Sequence, residues 1–130
     1  MEFCIPHKRE LTQEERDLLS FFVKGQPARE AQIDRLKIVA RCGCGECPTI
    51  LFGESFDDEP LTTGYMEIAD YWARATNGTL VGVVLFESGG RIAELEAVGW
   101  DGDVDGWPPV DALVPTNVAV ASLDSPESDR

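Results

Sequence analysis

The chain holds a single histidine, His7, in 130 residues, and no plausible serine nucleophile stands near it, so triad chemistry is set aside. Basic residues are also scarce. Eleven Lys and Arg face 24 Asp and Glu, a formal net charge of -13 that repels phosphate backbones and anionic membrane surfaces and so excludes nucleic acid as a direct ligand. No stretch approaches the roughly 18 apolar residues of a membrane span, and Met1 to Glu10 has no basic segment leading into an apolar run. A cytoplasmic protein without a membrane role is the resulting expectation. No phosphate-binding loop, paired acid and base, or solenoid repeat is present, and helices gathered at one end give no βαβ rhythm, which argues against a dinucleotide fold. The expectation is a protein that is not an enzyme.

Only four cysteines occur, and three of them crowd into Arg41-Cys-Gly-Cys-Gly-Glu-Cys-Pro48. Thiolates are favoured zinc ligands, and structural zinc takes four donors. Cys42, Cys44 and Cys47 supply three, and Cys4 or His7, three residues apart near the start, is the candidate fourth. The pattern departs from two separated C-x-x-C pairs, because C-x-C here overlaps C-x-x-C. The alternative is a glycine-rich turn whose small thiols simply pack. Cys42 and Cys44, one residue apart, are poorly placed for a relaxed disulfide, and a reducing compartment disfavours one. Redox chemistry at Cys44 and Cys47 requires a helix N-terminus, whereas Pro48 to Phe52 reads as a strand.

An apolar fraction of 43% with three Trp and six Phe suits one globular core. Thr12 and Glu15 form a capping-box signature opening a helix to about Lys24, with Leu18, Leu19, Phe22 and Val23 on its buried face and Gly25 ending it. Pro27 opens a second helix to about Leu36. Strands are expected from Leu36 to Arg41, from Pro48 to Glu54 and, although its spacing also fits a helix, over Met66 to Thr76. The two β-rich runs around Ser88-Gly89-Gly90 read as a hairpin, with one sheet face acidic and wet. The expected fold is α+β: two N-terminal helices packed on a twisted antiparallel sheet of about four to five strands. Residues 1–121 are expected to form one domain, with 122–130 a flexible polar tail.

Asp57, Asp58 and Glu59 fall in an acidic loop, and Glu94 and Glu96 flank Leu95 on a strand. Asp101, Asp103 and Asp105 alternate like the opening of a calcium loop. Ala112 stands where the bidentate glutamate belongs and Pro108-Pro109 intervenes, so a solvated turn is the better reading. The cysteine loop, Arg41-Cys-x-Cys-Gly-x-Cys-Pro-Thr-Ile50, together with Arg91-Ile-Ala-Glu-Leu-Glu-Ala-Val-Gly-Trp-Asp-Gly102, resembles a group of small uncharacterised bacterial proteins over roughly residues 15 to 110. Some small acidic bacterial proteins are encoded beside secreted toxins as their immunity partners. The resemblance thus implies an immunity-type inhibitor that occludes a partner protein, such as a basic toxin domain. Asp57, Asp58, Glu59, Glu94, Glu96, Asp101 and Asp103 are the candidate contacts. A zinc-stabilised structural or adaptor module built on the cysteine loop is the alternative.

Overall fold

A computed structural model describes residues 4–44, 47–100, 102, 104 and 106–116. The expected tail, residues 122–130, and the carboxylates Asp101, Asp103 and Asp105 lie outside the described residues. Helix α1 spans Gln13–Phe22 and carries the anticipated capping box. Thr12 Oγ1 accepts from the Glu15 N–H at 3.2 Å, while a Glu15 carboxylate oxygen accepts from the Thr12 N–H at 2.9 Å. This reciprocal pair satisfies two backbone donors that a helix start otherwise leaves open. Glu15, Leu18, Leu19 and Phe22 share the buried stripe, the spacing of one helical face. Gly25, at φ 81°, follows the helix end, and Pro27 starts α2, Pro27–Ile33, where its missing N–H costs nothing.

The strands are β1 Cys4–Arg9, β2 Lys37–Cys42, β3 Ile50–Gly53, β4 Tyr65–Arg74, β5 Leu80–Ser88, β6 Arg91–Gly99 and β7 Val114–Pro115, with a short 3₁₀ turn at Val110–Ala112 before the last. They form a seven-stranded sheet in the order β1-β2-β3-β6-β5-β4-β7, antiparallel at every pairing. The expected count of four to five strands is therefore corrected to seven, while the α+β class stands. The unanticipated strands, β1 and β7, are the two edges. Pro6 and the basic run of β1, and Pro115 in the two-residue β7, weaken the strand pattern. Edge strands tolerate them because one side of the ladder needs no partner.

The β5–β6 hairpin turns through Gly89 and Gly90 at φ 58° and 83°, the left-handed region that favours glycine. A bulge explains the broken alternation of β6: Phe86 pairs with Glu94 while the adjacent Glu87 pairs with Ile92. One extra residue there lets Ile92 and Leu95, three apart, both reach the helix side. That side is the main core, where Leu18, Leu19 and Phe22 meet Ile38, Ile50, Phe52, Val81, Val83, Leu85 and Leu95. Each such fully buried side chain contributes about 1.5–3 kcal/mol of transfer free energy. Val39, Ala40 and Leu51 form a second, smaller cluster with Cys4 against it, and the pairing of Leu51 with Glu94 puts that residue row on the face away from the helices. Among the described residues no helix is long and apolar enough to cross a membrane.

Candidate metal centre and acidic sheet face

Strands β2 and β3 are antiparallel neighbours, so the chain must reverse between them and bring its cysteines back over one another. The ladder extends to a bond from the Cys42 N–H to the Thr49 carbonyl at 3.1 Å. Beyond it the Cys42, Cys44 and Cys47 sulfurs all lie within 4.8 Å of one another. Backbone amides already point at sulfur: Cys44 N–H at Cys42 Sγ, 3.5 Å, and Cys47 N–H at Cys44 Sγ, 3.3 Å. Such N–H to sulfur bonds stabilise negative charge and therefore favour thiolate. The Cys47 thiol is 3.4 Å from Thr49 Oγ1, which in turn accepts from the Ala97 N–H at 3.0 Å and anchors the loop to β6.

Cys44 and Cys47 sulfurs are 3.2 Å apart, well beyond a disulfide bond and somewhat inside the edge of about 3.8 Å that a tetrahedral thiolate site with metal–sulfur bonds of about 2.3 Å would set. Burial, and then the neighbouring Cys44 and Cys47, push the Cys42 thiol up to about 11. An uncharged Cys42 thus suits the metal-free loop, and a bound cation would reverse that preference.

The two candidate fourth ligands are placed differently. Cys4 lies directly across the β1–β2 ladder from Cys42, but its sulfur is not one of the three that converge. His7 is turned to its own strand: Nε2 accepts from Arg9 Nε at 3.1 Å. Burial, then Arg9 and Arg41, lower its pKa.

The acidic candidates divide as well. Asp57 and Glu59 are exposed. Asp58 is occupied within the loop, its Oδ2 accepting from the N–H groups of Glu54 at 2.8 Å and Ser55 at 3.1 Å, bonds that lower its pKa. Glu94 is 1% exposed, so it is an interior group rather than a surface contact. Burial raises its pKa against an opposing hydrogen bond with Tyr65. The Tyr65 hydroxyl lies 2.7 Å from the Leu61 carbonyl, to which it donates. Glu96 is half-buried, and burial raises its pKa too.

Sequence reasoning missed Glu67 and Asp70. Burial, then Asp70, raises the pKa of Glu67, which shows two carboxylates sharing one location. They are three apart in a strand, an odd spacing that normally separates faces. A register shift between Glu67 and Ala69 restores them to the same face, and only the bulge itself could have revealed that. Comparison with protein-family models, curated proteins and solved structures finds no match for this chain.

Proposed function

We propose that this is a small cytosolic thiolate module in which Cys42, Cys44 and Cys47 bind one zinc ion and thereby fix the β2–β3 connection. The observation that carries the reading is the convergence of three sulfurs within 4.8 Å. Three thiolates satisfy the borderline-soft preference of zinc, and with Cys44 exposed the fourth position is left to water or an exogenous donor. Zinc would supply cross-linking of the loop and Lewis acidity. The chain supplies the sulfurs, the amides that favour their ionised form, and the Thr49 anchor to β6.

Zinc content and thermal unfolding of the purified protein test this directly. About one zinc per chain is expected, with a fall in melting temperature on chelation and loss of both in a Cys42→Ser, Cys44→Ser variant. A protein that takes up no zinc under reducing conditions, and whose melting temperature ignores both chelator and the double variant, removes the proposal.

A second reading, an immunity-type inhibitor of a basic partner protein, is favoured by the net charge of -13 and by the exposure of Asp57 and Glu59. Such a surface steers association electrostatically. Neutralising Asp57 and Glu59 is expected to slow association with that partner, and an unchanged rate would free the loop from this role.

A further inference from the structure

The three sulfurs between β2 and β3 are not equivalent. Cys44 and Cys47 Sγ are 3.2 Å apart, with the Cys44 thiol donating toward Cys47, a separation about 1.2 Å longer than a disulfide bond. The two residues stand in C-x-x-C spacing, which lets a pair of thiols close into a small disulfide ring and reopen. Cys42 is set apart from this pair. Its backbone N–H is held in the ladder by the bond to the Thr49 carbonyl, and a partner only one residue away, Cys44, is poorly placed for a relaxed bridge.

Exposure divides the labour within the pair. Cys44 is exposed and Cys47 half-buried, so a reagent arriving from solvent meets Cys44 first, and access is one of the factors that sets which sulfur reacts. The Cys47 N–H donates to Cys44 Sγ at 3.3 Å, which positions the outer sulfur over the residue that would attack it in turn. Cys47 is itself fixed, its thiol 3.4 Å from Thr49 Oγ1, which accepts from the Ala97 N–H at 3.0 Å. The chain continues into strand β3 rather than a helix, and the Cys47 amide does locally the positioning that a helix N-terminus does elsewhere.

We propose that Cys44 and Cys47 form a thiol–disulfide exchange site for small-molecule disulfides, and that its oxidation unloads the metal loop. Cys44 Sγ, having lost its proton to water, attacks one sulfur of the small disulfide. A bond from Cys44 to that sulfur forms, the original sulfur–sulfur bond breaks, and the other half leaves as a thiolate that takes up a proton. Cys47 Sγ then attacks Cys44 Sγ, its own proton passing to the second leaving thiolate. The Cys44–Cys47 bond forms as the mixed disulfide breaks. Two protein thiols are oxidised and one small disulfide is reduced to two thiols. Of the three metal-binding sulfurs only Cys42 then keeps its thiol, too few for a structural zinc site, and the loop gives up its ion. The loss of metal rests on the zinc reading above, whereas the exchange chemistry stands without it.

The probe is oxidised glutathione, added without oxygen to the full-length, metal-free protein while free thiols are trapped at intervals and the sulfur pairs are mapped by mass spectrometry. A Cys44–Cys47 disulfide is expected, formed about tenfold or more faster than the half-buried Cys4 is modified. Cys47→Ser should stop the reaction at a mixed disulfide of Cys44 with glutathione, Cys44→Ser should slow it about tenfold or more, and Cys42→Ser should alter its rate less than about twofold. In protein loaded with Zn²⁺, the ion should be released in step with the disulfide and taken up again after reduction. A disulfide that includes Cys42, or equal rates at Cys4 and Cys44, overturns the assignment. A protein that binds zinc but whose metal-free loop stays reduced refutes the exchange site and leaves the zinc reading intact. A loop that oxidises as expected in a protein that takes up no zinc upholds the site and removes only the loss of metal. The wild-type map decides the pairing without any variant, so a substitution that fails to fold leaves the test standing.

Discussion

Glu15 offers the sharpest test of how this small acidic chain holds together. It is 2% exposed and accepts four hydrogen bonds: Arg9 Nη1 at 2.9 Å, Arg9 Nη2 at 2.8 Å, the Thr12 N–H at 2.9 Å and Trp107 Nε1 at 3.2 Å. One carboxylate thus ties edge strand β1, the start of α1 and the segment after β6. In Glu15→Gln one oxygen survives to cap Thr12, but the new amide presents donors to Arg9 and Trp107. Each charge-assisted bond is worth about 1.5–3 kcal/mol, and the Trp107 bond about 1 kcal/mol. The Arg9 side chain is 34% exposed, so it recovers hydration and the loss stays below the limit of about 3–5 kcal/mol for breaking a fully buried pair. The expected cost is about 2–4 kcal/mol, or a fall of about 8–15 °C in melting temperature for a chain of this size.

The pH dependence supplies a second readout. Burial raises the Glu15 pKa, but the bonds from Arg9, Thr12 and Trp107 outweigh it and leave the value below the ordinary 4.5. A depressed carboxylate contributes stability that is present above its unfolded pKa and is lost as pH falls through the folded one. The gap between wild type and Glu15→Gln should therefore be full at pH 7 and shrink below about pH 4.5. Thermal unfolding from pH 3 to pH 7 measures both. A gap under about 0.5 kcal/mol at pH 7, or one that does not narrow in acid, refutes the argument.

Glu94 should behave in the opposite sense. Burial raises its pKa, so its favourable contribution exists below the ordinary 4.5 and is lost as pH rises through the folded value. Glu94→Gln is expected to raise the melting temperature at pH 7 by about 3 °C, with the advantage gone near pH 4; a loss of stability at pH 7 would contradict it. Gly82→Ala probes the indole pair, because a Cβ there would stand 3.1 Å from Trp100 Nε1 and 3.3 Å from its Cε2 and Cζ2. Displacing that ring should cost about 0.5–1.5 kcal/mol and shift the tryptophan emission to the red, and an unaltered spectrum would show that Trp100 does not rest on the residue 82 position.

What the sequence made legible was whatever depended on neighbours along the chain. The Thr12–Glu15 capping box, Pro27 at the first turn of α2 and the paired glycines of the β5–β6 hairpin all operate within a few residues. The edge strands were not legible, because Cys4–Arg9 and Val114–Pro115 are defined by partners far away in sequence. The candidate sites divide in the same way. Cys42, Cys44 and Cys47 were visible because one short loop carries them. Glu67 and Asp70 join Glu94 and Glu96 only through a bulge and two ladders, which no local periodicity reports.

The metal loop and the acidic face share the sheet, and electrostatics decides whether one must perturb the other. Cys42 reaches Thr49 through its ladder bond, and Ile50, the next residue, pairs with Leu95, so Cys42 stands two strand spacings, about 10 Å, from Glu96. Three neutral thiols that become three thiolates around Zn²⁺ change the local charge by about -1. Across about 10 Å of water-exposed surface, one unit charge acting on another amounts to about 0.4 kcal/mol before screening, and a Debye length of about 8 Å cuts that to roughly a quarter. The shift in affinity for a basic partner protein is then well under twofold. Zinc loading should therefore leave the association rate and affinity for a basic partner protein nearly unchanged, and a strong dependence of one on the other would have to be carried by movement of Thr49 against Ala97 rather than by charge.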